Sequence, residues 1–368
     1  MFALAPDRGT FQPAEKPDAG LRVLMITSEY PTPDKPSAVP FIVRQEKSLR
    51  SKGIDVEVFA FSGKKRAANY VKAWRDLRRF TAGKQYDLVH AQWGHSAVLA
   101  LPKRLPWVIT FRGNDLEGIV GPRGHYTLKG KILTVVAKLM GRLADERIVV
   151  AEKLGSHLGG NDFAVIPSGL DLDIFKPLPQ DECRQKLGLP SEKRLVLFAA
   201  STIENPRKRF DLAHEAVELL KKKFDAEMIV ANGVAHSLIP VYMSACDVLL
   251  LTSIHEGSPN VVKEALACDL PIVSVDVGDV RERLEGVDGC KVCDDDHPVT
   301  IASALEKVLC VGTRINGRQK VSDLDESNIT DRVIEVYKRA LKPIPALKGA
   351  QEGKPTAQGM RTRMSKES

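Results

Sequence analysis

Short apolar runs bounded by glycine, proline and polar clusters alternate along this chain with stretches whose apolar positions recur at helical spacing. Apolar runs without polar alternation are the pattern of strands buried on both faces, and their alternation with amphipathic helices predicts parallel sheets covered by helices on both sides. Two sets of such units are visible. The first predicts strands at 22–27, 55–61, 87–91, 108–111, 147–150 and 164–167, with a helix over 41–52 closed by Gly53. The second predicts strands at 194–200, 227–231, 248–251 and 272–275 and a last helix ending before Gly312. The fold class read from this pattern is α/β, two Rossmann-like, doubly wound parallel-sheet domains. The glycine- and proline-bearing segment 168–179 is the expected link. An amphipathic helix over about 330–341 follows it. The expected division is a disordered segment 1–20, a first domain 21–168, a second 169–329, a helix 330–342 and a disordered basic tail 343–368.

Composition narrows the setting. The chain has 368 residues, of which 43% are hydrophobic, enough for two cores. Its 6 cysteines lack framework spacing and suit a reducing compartment. The first twenty residues carry prolines and charges but no apolar run, so the expectation is a cytoplasmic protein without signal peptide or membrane span. A net charge of +7 calls for an anionic partner of unspecified kind.

The segment 249–271, LLLTSIHEGSPNVVKEALACDLP, carries the most chemistry. It predicts a buried strand, a loop and a helix over about 259–268, with Ser258 as N-cap and Pro259 in the first helical position. Glu256 then lies in the loop and Glu264 in the second helical turn. Between them the unpaired N–H groups of Ser258, Asn260 and Val261 offer an anion the positive end of the helix dipole. Two hydroxyl-binding glutamates around a phosphate site suit a sugar diphosphate. Arg207, Lys208 and Arg209 crowd a predicted helix start, where cations oppose the dipole; an anion bound there would account for them.

With these motifs, and with YDLVHAQW at 86–93, VITFRGNDL at 108–116, VIPSGLDLDIFKP at 165–177 and RKRFDLAHEAV at 207–217, the chain resembles a retaining glycosyltransferase of the GT-B fold, glycosyltransferase family four, over roughly 21–341. The run Glu256-Gly257-Ser258-Pro259 with Ser253, Glu264, Ala265, Ala267 and Pro271 carries most of that resemblance. It implies that Glu256 contacts the donor sugar near the reacting carbon, that Glu264 accepts from the ribose hydroxyls and that Lys208 meets the diphosphate. Arg207, Lys208 and the helix start would stabilise the leaving phosphate without a metal, and no cofactor is called for beyond the donor substrate. The implied partners are a UDP- or GDP-hexose donor, bound mainly by the second domain, and a saccharide or lipid-linked acceptor, bound by the first. The implied setting is surface-polysaccharide or lipopolysaccharide assembly.

The chain departs from that family at definite places. Thr202 and Ile203 stand where an arginine usually precedes the lysine, and Arg112 stands where many relatives carry histidine. The segment SAVPF at 37–41 replaces a glycine-rich loop, and Asp269 replaces a glycine after the helix, in a left-handed position that aspartate tolerates. His90 and His95 are near enough in sequence to serve in place of the family histidine, and Asp115 and His95 are the candidates to assist the acceptor hydroxyl.

Three features invite other readings. Asp171-Leu172-Asp173 is literally D-x-D, and Cys290-Lys-Val-Cys293 is half a zinc or redox motif, but the first lies in the interdomain segment and the second has no matching pair. The stretch Lys64 to Phe80 is a basic amphipathic helix with Tyr70, Trp74 and Leu77 on one face. It reads either as attachment to an anionic membrane surface, peripheral on the inner face of the plasma membrane, or as an ordinary helix with its apolar face on the sheet. No stacking platform accompanies it, which argues against nucleic acid. The functional alternatives to a transferase are a non-catalytic sugar-nucleotide-binding scaffold and a sugar-nucleotide epimerase. A nicotinamide dehydrogenase is disfavoured because no G-x-G-x-x-G follows the first strand.

Overall fold

A computed structural model describes residues 20–342 apart from 36–37, 64–66 and 123. The expectations for 1–19 and 343–368, for Ser37 and for the first turn of the basic helix therefore lie outside the described residues. Eleven strands are assigned within them: β1 (Arg22–Thr27), β2 (Asp55–Ala60), β3 (Leu88–Gln92), β4 (Trp107–Phe111), β5 (Glu146–Val149), β6 (Ala164–Val165), β7 (Arg194–Ala200), β8 (Ala226–Asn232), β9 (Val248–Leu251), β10 (Ile272–Ser274) and β11 (Lys291–Val292). They form one sheet in the order β2-β1-β3-β4-β5-β6 and a second in the order β11-β10-β9-β7-β8, with every pair parallel. This is the GT-B arrangement of two α/β sheets. Every residue of β3, β4 and β9 is buried, as the unalternating apolar runs require.

Helices cover these sheets: α1 (Pro40–Ser51), α2 (Ala67–Phe80), α3 (Asn114–Glu117), α4 (Leu128–Leu143), α5 (Glu152–Gly155), α6 (Gln180–Leu187), α7 (Phe210–Leu220), α8 (Ile239–Ala245), α9 (Asn260–Ala267), α10 (Val280–Leu284), α11 (Pro298–Val311) and α12 (Glu326–Ala340). Their punctuation follows sequence chemistry. Pro40 and Pro298 open α1 and α11 where the missing N–H costs nothing, and Gly312 closes α11 at φ 64°. Asp269 takes φ 53° after α9, and its carboxylate accepts from the Arg318 N–H at 2.9 Å.

Most other bounds shift by one or two residues from expectation, and two helix starts differ for identifiable reasons. Helix α9 begins at Asn260, because Pro259 is extended (ψ 116°) and acts as N-cap. Ser258 does not cap the helix; its hydroxyl donates instead to Asp279 Oδ2 at 2.8 Å. Helix α12 begins at Glu326 rather than 330, since Asp325 accepts from the Ser327 N–H and supplies a cap one turn earlier. It returns to the first sheet, packing on α1, β4 and β5. There the fully buried Tyr337 hydroxyl lies 2.7 Å from His90 Nδ1.

Candidate functional site

In the second sheet, β7 and β9 are neighbours although β8 intervenes in sequence, which makes the carboxyl ends of these strands a topological switch point, the usual ligand-binding end of such a sheet. The loops leaving those ends are 201–209 and 252–259. They are bolted together: the Ile254 N–H donates to Arg207 O at 2.8 Å, the Thr252 hydroxyl to Lys208 O at 2.8 Å, and Arg209 Nε to Thr252 O at 2.6 Å. Arg209 takes the left-handed region at φ 51°, ending a short 3₁₀ turn, Pro206–Lys208, before α7 starts. The three cations thus end at the N-cap of α7, where Glu256, paired with Arg207 and Lys208, and Asp296, paired with Arg209, offset their conflict with its dipole.

This bolting delivers Arg207 and Lys208 to Glu256. Lys208 Nζ lies 2.6 Å from Glu256 Oε1 and Arg207 Nη1 2.5 Å from Oε2, while the Ser253 hydroxyl donates to Oε1 at 2.8 Å. The Glu256 side chain is 11% exposed. Burial alone would raise its carboxyl, but Lys208 and Arg207 outweigh that effect and hold it down at about 2. Burial pushes the Lys208 ammonium down, with Glu256 opposing. Two cations share one carboxylate, so positive charge is left over four residues before α9 begins. The first turn of α9 has no side-chain cap, which leaves the N–H groups of Ser258, Asn260 and Val261 available to an anion.

Glu264, in α9, is buried and accepts from His236 Nε2 at 3.0 Å; the His236 ring sits edge-on to Phe175 at 5.1 Å. His236 lies in the loop after β8, where no sequence pattern marked it. Gly257 is required by close approach, because a Cβ there would come within 2.6 Å of Arg112 O across the interface. The opposing Gly113, at φ 126°, would place a Cβ 3.0 Å from Gly257 N.

The loop after β4 builds the facing wall. Asp115 is buried with both oxygens occupied: Oδ2 accepts from Gly94 N at 2.9 Å and Oδ1 from Arg112 N and Gly113 N at 3.1 Å each. Its carboxylate therefore shapes the loop. Arg112 does not join the Glu256 group, because its guanidinium is taken elsewhere. It donates twice to Gln92 Oε1 (3.0 and 2.6 Å) and once to Ser168 Oγ (2.9 Å), and it lies 4.7 Å from the Phe41 ring centre. Lys263 of α9 donates to Ser168 O at 3.0 Å, so both halves of the molecule grip the residue where the chain crosses. His95 lies near Ser28 (3.2 Å) and stacks on Trp93. His90 is fully buried between Tyr337 and Thr110, and burial pushes its imidazole down to about 3.

Two groups in this wall went unmarked in the sequence. His255 Nε2 donates to Asn114 Oδ1 at 3.1 Å, its Nδ1 accepts from the Tyr126 hydroxyl at 3.1 Å, and the two rings stack at 17°. One neutral imidazole thereby bridges the two sheets' loops. Burial, reinforced by Arg207, holds it down at about 4. Glu117 has a buried Oε2 with no hydrogen-bond partner, and burial together with the nearby Glu256 charge pushes its carboxyl up to about 7. A buried carboxyl oxygen without a partner beside a second carboxylate is a feature that only packing reveals.

The distracting motifs have structural explanations. Asp171 Oδ1 accepts from the N–H groups of Asp173 and Ile174 and closes a turn. Lys291–Val292 is the edge strand β11, and burial pushes both flanking thiols, Cys290 and Cys293, up to about 11. Among the described residues no three His, Cys, Asp or Glu side chains are grouped to hold a metal, and no helix is long and apolar enough to cross a membrane. In α2, Ala73 and Leu77 face the core, whereas Trp74 lies at the edge and donates from Nε1 to Leu101 O at 2.8 Å.

Comparison with known proteins agrees with the two-sheet fold. Residues 229–310 match the family described as glycosyl transferases group 1, and residues 14–167 match the glycosyl transferase 4-like domain. The chain is 27% identical over 328 residues to Bacillus subtilis TuaC, named as a glycosyltransferase of teichuronic acid biosynthesis; the match covers 71% of this chain and 82% of TuaC. It is 23% identical over 326 residues to a D-inositol 3-phosphate glycosyltransferase of Catenulispora acidiphila, covering 73% and 77%. Among solved structures, sucrose-phosphate synthase of Thermosynechococcus elongatus superposes with a TM-score of 0.72 at 16% identity, covering 87% of this chain and 98% of that one. The Anabaena HepE structure in complex with UDP-glucose superposes at 0.61 with 18% identity, covering 86% and 99%.

Proposed function

Since the chain belongs to the glycosyl transferases group 1 family, glycosyltransferase family four, and so transfers a sugar from a nucleotide sugar, we propose that it moves a hexosyl unit with retention of configuration onto a saccharide or lipid-linked acceptor. The observation that carries this reading is the Arg207–Lys208–Glu256 group at the switch point of the second sheet. The donor's diphosphate would lie against Lys208, Arg207 and the uncapped start of α9, through the N–H groups of Ser258, Asn260 and Val261. As the bond from the anomeric carbon to the diphosphate oxygen breaks, negative charge grows on that oxygen, where both cations stand. Glu256, ionised under its two partners, would steady the sugar as positive charge develops on it. The acceptor oxygen bonds to the anomeric carbon on the same face, and its proton passes to the departing phosphate.

On this reading the cations do the electrostatic work that a divalent metal does elsewhere. Glu264 would take the ribose hydroxyls, with His236 giving way. The donor belongs to the second unit, 169–329, and the acceptor to the first, 21–168; Asp115, Arg112 and His95 position that wall. A UDP-hexose is the first donor to try, given the UDP-glucose held by a neighbour of the same fold. The similarity to TuaC favours surface-polysaccharide assembly as the setting. The test is release of nucleoside diphosphate from UDP- and GDP-hexoses in EDTA, with and without saccharide acceptors, by wild type and Glu256→Gln. Acceptor-stimulated release that survives EDTA and falls in the variant supports the proposal. Donor isomerised without any acceptor would favour an epimerase, and binding without turnover a scaffold.

A further inference from the structure

Helix α4 is built inside out. Its inward face carries small residues: Gly130, Ala137 and Gly141 are buried, and Cβ atoms at the two glycines would meet Ile119 and Phe111. Met140 is buried with them and Val136 packs partly inward, but five other large apolar side chains point the other way. Leu128, Ile132, Val135, Leu139 and Leu143 follow at spacings of four, three, four and four residues, and they are 74%, 56%, 67%, 51% and 42% exposed. A helix packed on a sheet ordinarily buries such a stripe. A contiguous exposed apolar stripe marks a contact surface.

The charge around the stripe identifies the occupant. From Gly118 to Ala144 the sequence has no Asp or Glu, but it has Arg123, Lys129, Lys131, Lys138 and Arg142. Lys129, Lys131 and Arg142 are exposed alongside the stripe. Apolar side chains flanked by cations, with no acidic residue interrupting them, are the makeup of a helix lying in the plane of an anionic lipid surface. A second copy fits less well, since a twofold contact through this face would set its cations against their own copies.

We propose that α4 seats the protein on an anionic bilayer, Leu128 to Leu143 entering the headgroup layer and the cations meeting lipid phosphates. Lys103 Nζ donates to Leu143 O at 2.9 Å, and Trp74 Nε1 and Arg78 both donate to Leu101 O, so the 101–103 loop ties the end of α4 to α2. The basic face of α2 is then an auxiliary, and the principal contact lies two helices later in the chain. Tyr126, two residues before α4, bonds to His255 in the cleft wall, so a lipid-borne headgroup would reach the cleft from this side; that corollary rests on the lipid-linked reading above, whereas the docking does not.

The test is flotation of the full chain with phosphatidylcholine vesicles made with and without phosphatidylglycerol. Wild type is expected to float only with the anionic vesicles. The variants Ile132→Ser/Val135→Ser/Leu139→Ser and Lys129→Gln/Lys131→Gln/Arg142→Gln should each lose about tenfold or more in partition. Lys72→Gln/Arg75→Gln/Arg79→Gln on α2 should lose less. Near-ultraviolet circular dichroism checks that each variant is folded, and the charge-only variant keeps the packing unchanged. Wild type remaining unbound at low salt, or α4 variants floating like wild type, would overturn the proposal. So would a dimer that the α4 variants split in the absence of vesicle binding. None of these outcomes depends on transferase activity.

Discussion

Glu256 Oε1 and Lys208 Nζ lie 2.6 Å apart although 48 residues separate them, and Arg207 closes on the other oxygen of the same carboxylate. The group forms only because the loops after β7 and β9 are hydrogen-bonded into one body. A buried carboxylate with two cations is stable when complete and costly when one partner is removed, since the remaining charge is left without compensation.

Replacing Lys208 with Ala should therefore act on both chemistry and stability. Turnover is expected to fall by roughly 100-fold or more, as when one preorganised donor to a developing oxyanion is lost. The melting temperature should also fall measurably. A variant that keeps wild-type turnover would remove Lys208 from the reaction.

The pH dependence of stability should divide among three groups. Glu256, held at about 2, contributes stability that is fully present above the usual carboxylate range and is lost as pH falls through about 2. His255, held at about 4, contributes in the same sense: its share is present above the ordinary imidazole value and lost as pH falls through about 4. Denaturant melts of His255→Gln from neutral pH down to pH 4 should show a shallower decline than wild type.

Glu117 runs the other way. Its folded value, about 7, lies above the unfolded one, so its contribution is present in acid and lost as pH rises through about 7. Glu117→Gln should be more stable than wild type at alkaline pH and little changed at pH 5. If the variant also flattens the pH profile of kcat, the carboxyl takes part in turnover; an unchanged profile limits it to packing.

Gly257→Ala should separate the halves of the molecule. Its Cβ would meet Arg112 O at 2.6 Å, a backbone atom unable to swing aside. Small-angle scattering is expected to show a larger radius of gyration, and donor hydrolysis should rise relative to transfer as water enters the cleft. A compact variant with unchanged partition would contradict this.

The apolar runs at 22–27, 194–200 and 248–251 gave their strands to the residue, because fully buried parallel strands have no competing pattern. The Lys291–Val292 strand escaped, being two residues long at a sheet edge. In the site, Glu256, Glu264, Arg207 and Lys208 were legible as a motif, since they lie within short segments of fixed spacing. The distribution of Arg112 and Asp115 was not, because their partners, Ser168, Gln92 and Gly94, come from other elements. His255, Tyr126 and Glu117 were invisible too: His255 joins Tyr126 and Asn114, 129 and 141 residues away, and Glu117 stands out only because its buried Oε2 has no hydrogen-bond partner. The basic pattern of 64–80 drew attention to α2, while the apolar spacing of 128–143 is that of an ordinary helix face and gives no sign of its exposure.

The most direct test of the central claim is calorimetric titration of UDP, GDP, ADP and dTDP, and of their hexose conjugates, into wild type, Lys208→Ala and Glu264→Ala. One nucleotide series should bind saturably to wild type. Lys208→Ala should weaken the diphosphates about tenfold or more, and Glu264→Ala should weaken nucleoside diphosphates alongside their sugar conjugates. Saturable binding that neither substitution alters would contradict the assignment of the donor site to the carboxyl ends of β7 and β9.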